Sequence, residues 1–190
     1  ELDITDEALY APRSTRKETV DFILKDLAEA ASALPEQKDL PGSDIGRITK
    51  GAANSLRARV ALFEGTWAKF RADANANTYL DIAVDAAATV MNSSQYSLYT
   101  AKGAQSYRYF FIEEGDDAPE AILDRRYELR IANHAFPSTA AEGGLLPTKK
   151  LADMYLCADG LPITKSPLFQ WYNQTGSEFQ GRDPRMTMTN

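Results

Sequence analysis

The sequence predicts a mainly α protein, a scaffold of paired helices followed by an irregular region containing short strands. Three observations point there. Three segments of the first half carry apolar residues at steps of three and four, the helical period. Links bearing proline or glycine punctuate the first half. Beyond residue 93 the period gives way to alternation, aromatic clusters and mixed glycine and proline.

The elements follow in order. Residues 1–13 are polar and irregular. From Ser14, the residues Val20, Ile23, Leu24, Leu27, Ala31 and Leu34 recur at helical spacing, and Glu18 sits early, where the helix dipole favours a carboxylate. Pro35 stops that helix, and 36–46 form a polar link. Residues 46–71 read GRITKGAANSLRARVALFEGTWAKFR. Gly46 and Gly51 have the spacing of a phosphate-binding loop, but Ala52 and Ala53 stand where Lys and Ser or Thr would reach phosphate and magnesium, so that reading fails. A helix explains the stretch better. Thr49 can cap it, and Ala52, Leu56, Val60, Phe63, Trp67 and Phe70 share one face. Gly51 lets another segment pack against the first turn. A third helix is expected over 78–92, with Leu80, Ala83, Val84, Ala87 and Met91 inward.

The second half changes character. QYSLY (95–99) alternates as an extended segment does, and EAILDRRYEL (120–129) reads as a strand. A short helix is expected near PTKKLADMY (147–155). Asp159-Gly160 signals a turn. The scaffold therefore spans 14–93 and the irregular region 94–190.

Composition excludes several function classes. The chain has 190 residues, 27 acidic against 21 basic, and a net charge of −6. Its basic residues are scattered, so nucleic acid is not an expected partner. One cysteine, Cys157, and one histidine, His134, cannot complete a structural zinc site, and no third group supports a Cys–His nucleophile. Glu113, Glu114, Asp116, Asp117 and Glu120 crowd one segment without EF-hand spacing, which makes a solvated loop the expectation. No metal, cofactor or catalytic residue is expected. No apolar run approaches the roughly 18 residues a spanning helix needs.

Six segments in order carry a resemblance: TRKETVDFILKDLAEAASALP, GRITKGAANSLRARVALFEGTW, YLDIAVDAAATVMNSSQYSLY, EAILDRRYE, LLPTKKLADMYLCADGLPI and GRDPRM. Together, from Thr15 to Met186, they resemble the SusD/RagB family of surface lipoproteins. The resemblance implies tetratricopeptide-like helix pairs with an irregular region laid against them. It also implies a non-enzymatic job: glycan capture on the outer face of the outer membrane, and delivery to a SusC-like TonB-dependent transporter. The lipidated cysteine and N-terminal helices of that family precede Glu1, and its C-terminal helices follow the RDPR signature, so the chain is expected to be a fragment of a longer, lipid-anchored protein. Leu156-Cys157-Ala158 stands where the family usually has small or polar residues, a neutral variation.

Sugar recognition asks for flat aromatic faces with polar groups at the rim. The candidates are Trp171, Tyr172, Tyr127, Trp67 and Tyr107, with Asn173, Gln174, Arg126 and His134 as polar partners. Trp67 also lies on the apolar stripe of its helix, where core packing competes, whereas Trp171 and Tyr172 sit in a polar loop. Arg182-Asp183-Pro184-Arg185 reads as an internal clamp built from guanidiniums. Two competing functions are a glycoside hydrolase, which needs two dedicated carboxylates, and a helical-repeat scaffold binding peptides in its groove.

Overall fold

The structure, a computed structural model, describes residues 7–125, 127, 135–144 and 146–189. The chain divides into two compact units, Glu1–Ser97 with Pro119–Asp124, and Leu98–Ala118 with Arg125–Asn190.

The first unit is built on α1 (Arg16–Ala33), α2 (Lys50–Lys69) and α3 (Ala76–Met91). Two of the starts carry a side-chain cap. Thr15 caps α1 in a capping box with Glu18: its hydroxyl accepts the Glu18 N–H at 3.2 Å, and the Glu18 carboxylate accepts the Thr15 N–H at 2.8 Å. Those bonds hold the Glu18 carboxyl below the usual carboxylate range. Thr49 caps α2 by accepting the Ala52 N–H at 3.3 Å. The bases flanking that cap are paired, Arg47 with Asp44 at 3.4 Å and Lys50 with Glu36 at 3.2 Å. Gly51 is buried, and the Tyr96 ring occupies the space its Cβ would need.

The helices pair as α1 on α2 and α2 on α3. α1 buries the expected face at Leu24 and Ala31, and Ala52 and Ala83 are buried as expected, but the bulky residues of α2 and α3 depart from the periodicity. Leu56, Phe63 and Phe70 of α2 are exposed, whereas Ala53, Ala61, Gly65 and Ala68 are buried. In α3, Val84 and Met91 are exposed while Tyr79, Ala83 and Ala86 join the core. Small side chains let these helices come so close that bulky ones are turned outward. The contiguous core is Leu24, Ala61, Tyr79 and Ala83. Leu56, Val60 and Phe63 instead line an open groove of about 550 Å³ beside Arg16, Val20 and Arg59.

One carboxylate is buried with these small residues. Glu64 is 5% exposed, and Arg16 reaches it with Nε at 2.9 Å from both oxygens and Nη2 at 2.7 Å. That pairing raises the Arg16 guanidinium, and it offsets the desolvation of a buried carboxylate. Asp21 accepts the Tyr79 hydroxyl at 2.9 Å and pairs with Lys17, which holds its carboxyl low.

The second unit carries α4 (Ser106–Phe110), α5 (Phe136–Ala141), α6 (Lys149–Met154) and α7 (Pro184–Thr189), joined by turns. The expected strands are absent from the described residues. QYSLY forms no ladder, and 120–125 are irregular; 126 and 128–129 of that segment lie outside the described residues. A strand needs a neighbour to satisfy its backbone, and the described residues hold only an isolated antiparallel bridge, Cys157 to Arg182. Among them no helix is long and apolar enough to cross a membrane.

Candidate functional site

In the second unit, two sequence signatures 20 or more residues apart fold into one frame. PTKKLADMY makes α6, capped by Thr148 accepting the Leu151 N–H at 3.2 Å. CADG makes a tight turn, with Cys157 N–H bonded to Leu161 O and Gly160 N–H to Cys157 O, both 2.8 Å. RDPR runs back alongside: Ala158 N–H reaches Gly181 O at 2.8 Å, and Asp183 N–H reaches Leu156 O at 3.0 Å. Gly181 is required here. Its φ is +64°, and a Cβ would stand 2.9 Å from Leu168 O.

Arg182 is the clamp the sequence suggests. It is 7% exposed, and its guanidinium donates to Glu178 O at 2.9 Å, Ala152 O at 2.7 Å and Tyr155 O at 2.8 Å. It also lies 5.2 Å from the centre of the Phe169 ring. Asp183 pairs with Arg185 (Nη2 at 2.5 Å) and accepts its backbone N–H at 2.9 Å, which together pull its carboxyl down to about 2.

That direction gives a pH prediction. A carboxyl lower in the folded than the unfolded chain adds stability that is fully present above its unfolded pKa and lost as the folded form takes its proton. With 3.8 as the ordinary value and about 2 in the fold, the contribution should vanish between pH about 4 and about 2. Thermal melts at pH 2–5 should show Asp183→Asn nearly flat where the parent loses stability on this account.

On this frame sits an aromatic platform. Phe169 is buried at 4% exposure, and Trp171 and Tyr172 stand over it half exposed, at 55% and 50%. Their ring centres lie 5.2 and 5.9 Å from that of Phe169. Tyr172 is fixed from α6: its hydroxyl donates to Asp153 Oδ1 at 3.0 Å and accepts from Lys149, whose Nζ lies 4.6 Å from its ring centre. Lys149 holds the Asp153 carboxyl below its usual range, and Asp153 with Tyr172 raises Lys149. Trp171 is fixed by its backbone. Its carbonyl accepts the Ser177 hydroxyl at 2.7 Å, and its φ is +54°, a left-handed conformation that a bulky side chain rarely adopts. Strain of this kind persists where the surroundings over-determine it, and it concentrates at functional sites.

The other sequence candidates fall differently. Asn173 is exposed at the rim, its Nδ2 donating to Gln170 O at 3.0 Å. Gln174 is exposed nearby. Tyr127 is half exposed with the Arg125 guanidinium 5.5 Å from its ring centre, and Tyr107 packs edge-on against Phe111 at 5.2 Å. Arg126 and His134 lie outside the described residues. Trp67 belongs to the helical unit, with the guanidiniums of Arg16 and Arg71 at 4.1 and 3.9 Å from its ring centre. Two guanidiniums that near its ring compete with any ligand for the aromatic surface. Sequence reasoning missed Phe169, Asp153 and Lys149, which hold the platform; only the i, i+4 spacing of the last two hinted at a pair. No group of acidic, histidine or cysteine side chains among the described residues could hold a metal.

The chain is similar to a SusD-like protein from Bacteroides fragilis, with 28% identity and a TM-score of 0.71 over 98% of this chain and 36% of that one. It is also similar to a SusD-like carbohydrate binding protein from the same organism, at 18% identity and a TM-score of 0.72, over 98% of this chain and 34% of that one. The chain thus spans about a third of the length of each. No family model and no curated protein matches it.

Proposed function

We propose, from the likeness in fold to SusD-like proteins and the resemblance carried by the six sequence segments, that the chain belongs to a glycan-binding protein of the outer membrane that passes its ligand to a SusC-like TonB-dependent transporter. The protein is held at the cell surface by a lipid anchor outside these 190 residues. The observation that carries the binding step is the platform of Trp171 and Tyr172 on Phe169. Two adjacent rings, half exposed and fixed at their edges, offer flat apolar surface to the C–H faces of a sugar. Asn173 and Gln174 stand at the rim for hydroxyls, and Tyr127 belongs to the same unit.

The platform supports binding without hydrolysis. A glycosidase needs a carboxylic acid whose pKa is raised so that it can donate a proton. Asp153, the carboxylate at the platform, is instead lowered by Lys149 and already accepts the Tyr172 hydroxyl. Affinity electrophoresis of the full-length protein against a panel of polysaccharides, with each mixture assayed for reducing sugar, tests this reading. Retardation by at least one glycan with no sugar released is the expected result. Release of reducing ends would make the protein a hydrolase, and migration unaffected by every glycan would move the ligand to another nutrient class. Delivery is tested by co-purification of a TonB-dependent transporter with the tagged protein from native membranes.

A further inference from the structure

We propose that the helical unit holds a second binding site, for a small neutral polyhydroxylated molecule about the size of one pyranose ring, in the pocket where the N-terminus of α2 meets the end of α3. The proposal stands on this pocket alone and does not rest on the aromatic platform.

The pocket has a volume of about 200 Å³. A single water needs only roughly 10–15 Å³ on this measure, and drug-sized ligands occupy from roughly 300 Å³ upward. The space therefore suits a compact ligand larger than water and smaller than a disaccharide. Asn54 lines it. That residue is 7% exposed, yet its carboxamide has no hydrogen-bond partner among the described residues. Its polar atoms are not among the fully buried side-chain atoms that lack a partner, so they open onto the pocket and are free to bond what enters it. Asn54 in α2 thus holds hydrogen-bonding capacity toward the pocket that no protein group among the described residues uses.

The remaining groups set the chemistry. The Gly51 N–H, in the first turn of a 20-residue helix, has no acceptor among the described residues. Its neighbours are taken: Lys50 N–H by Pro35 O at 2.9 Å, Ala52 N–H by the Thr49 hydroxyl at 3.3 Å and Ala53 N–H by Thr49 O at 3.0 Å. Across the pocket the Thr89 hydroxyl donates to Asp85 O at 2.8 Å, which leaves its oxygen as an acceptor. Lys50 and Glu36 face each other at 3.2 Å on the rim; each retains hydrogen-bonding capacity, and their charges cancel.

A carboxamide offers an acceptor and a donor side by side. Adjacent hydroxyls of a sugar ring match that edge, one donating to Oδ1 and its neighbour accepting from Nδ2. The free Gly51 N–H takes a third ligand oxygen, and Thr89 accepts a fourth hydroxyl. An anion would satisfy Gly51 and Lys50 but would meet the Glu36 carboxylate, so the balance of charge favours a neutral polyol.

The test uses ligand-observed saturation-transfer NMR on the full-length protein carrying Trp171→Gly, which removes the platform's main ring. Methyl glucoside and glycerol are the probes, and sodium acetate is the charged comparator. Saturable transfer to methyl glucoside is expected, with a dissociation constant on the order of millimolar. Asn54→Leu should abolish it and Thr89→Val should weaken it several-fold. Asn54→Leu should also leave the melting temperature unchanged or raise it, because it replaces an unpaired polar group with an apolar one of similar size. Four results would overturn the site: no transfer in the Trp171→Gly protein, which leaves the platform reading untouched; transfer indifferent to Asn54→Leu; binding of acetate alone; or marked destabilisation by Asn54→Leu, which would make the carboxamide a structural group.

Discussion

Arg182→Ala should destabilise the second unit by about 3–5 kcal/mol, because three carbonyls lose a charged donor and each one left unsatisfied costs about 1–3 kcal/mol. The three carbonyls it binds belong to Ala152, Tyr155 and Glu178, so the substitution unties α6 from the turns that carry the platform. A charged donor to a carbonyl is worth about 1.5–3 kcal/mol. Desolvation of the buried guanidinium, whose Nε finds no partner among the described residues, keeps the total well below the sum of three such bonds. Arg182→Lys should recover less than half of the loss, because an ammonium lacks the planar fork that spans separate carbonyls. Urea melts of the three proteins check this. A loss below about 1 kcal/mol for Arg182→Ala, in the range of an ordinary surface substitution, would remove the clamp from the account.

Gly65→Leu should cost the helical unit about 3 kcal/mol, at or above the upper end for overpacking a core. Even the first added atom has no room: a Cβ on Gly65 would stand 2.8 and 2.9 Å from Leu80 side-chain carbons and 3.0 Å from its backbone nitrogen. Gly65→Ala sets two effects against each other. Alanine gains about 1 kcal/mol of helix propensity, and overpacking costs about 1–3 kcal/mol. The backbone atom of Leu80 cannot turn aside as a side chain can, so the net should be a loss of about 1 kcal/mol or more. Gly42, where an added Cβ would meet nothing within 4 Å, supplies the contrast: Gly42→Ala should change stability by less than about 0.5 kcal/mol. Equal melts for Gly65→Leu and the parent would mean that α2 and α3 do not pack this closely.

These two residues also show where the sequence was readable. The three scaffold helices and the Thr49 cap follow from apolar period and end signals, which act within a few residues along the chain. The buried faces of α2 and α3 do not. Periodicity assigns the bulkiest side chains to the core, whereas these helices approach through Ala61, Gly65, Ala68 and Ala86 and leave Leu56, Phe63 and Phe70 outside. Burial of Glu64 was hidden for a related reason, since its partner Arg16 lies 48 residues away. At the candidate site, an aromatic pair in a polar loop was visible in the sequence. Its support was not: Phe169, Asp153, Lys149 and Arg182 meet only through the return of the chain. The left-handed backbone at Trp171 has no sequence signal at all, because tryptophan is among the residues least suited to it.

That backbone strain supplies the most direct test of the account, which holds that Trp171 is kept for a ligand rather than for the fold. Trp171→Gly suits a φ of +54°, and release of about 1–3 kcal/mol of strain should offset most of the packing lost from Phe169. Affinity of the full-length protein for the glycan that retards it should be measured by calorimetry, alongside urea melts. The expected result is at least about a tenfold loss of affinity, or about 1.4 kcal/mol, with stability held within about 1 kcal/mol of the parent. Undiminished affinity together with a large loss of stability would contradict the account and make Trp171 a structural residue.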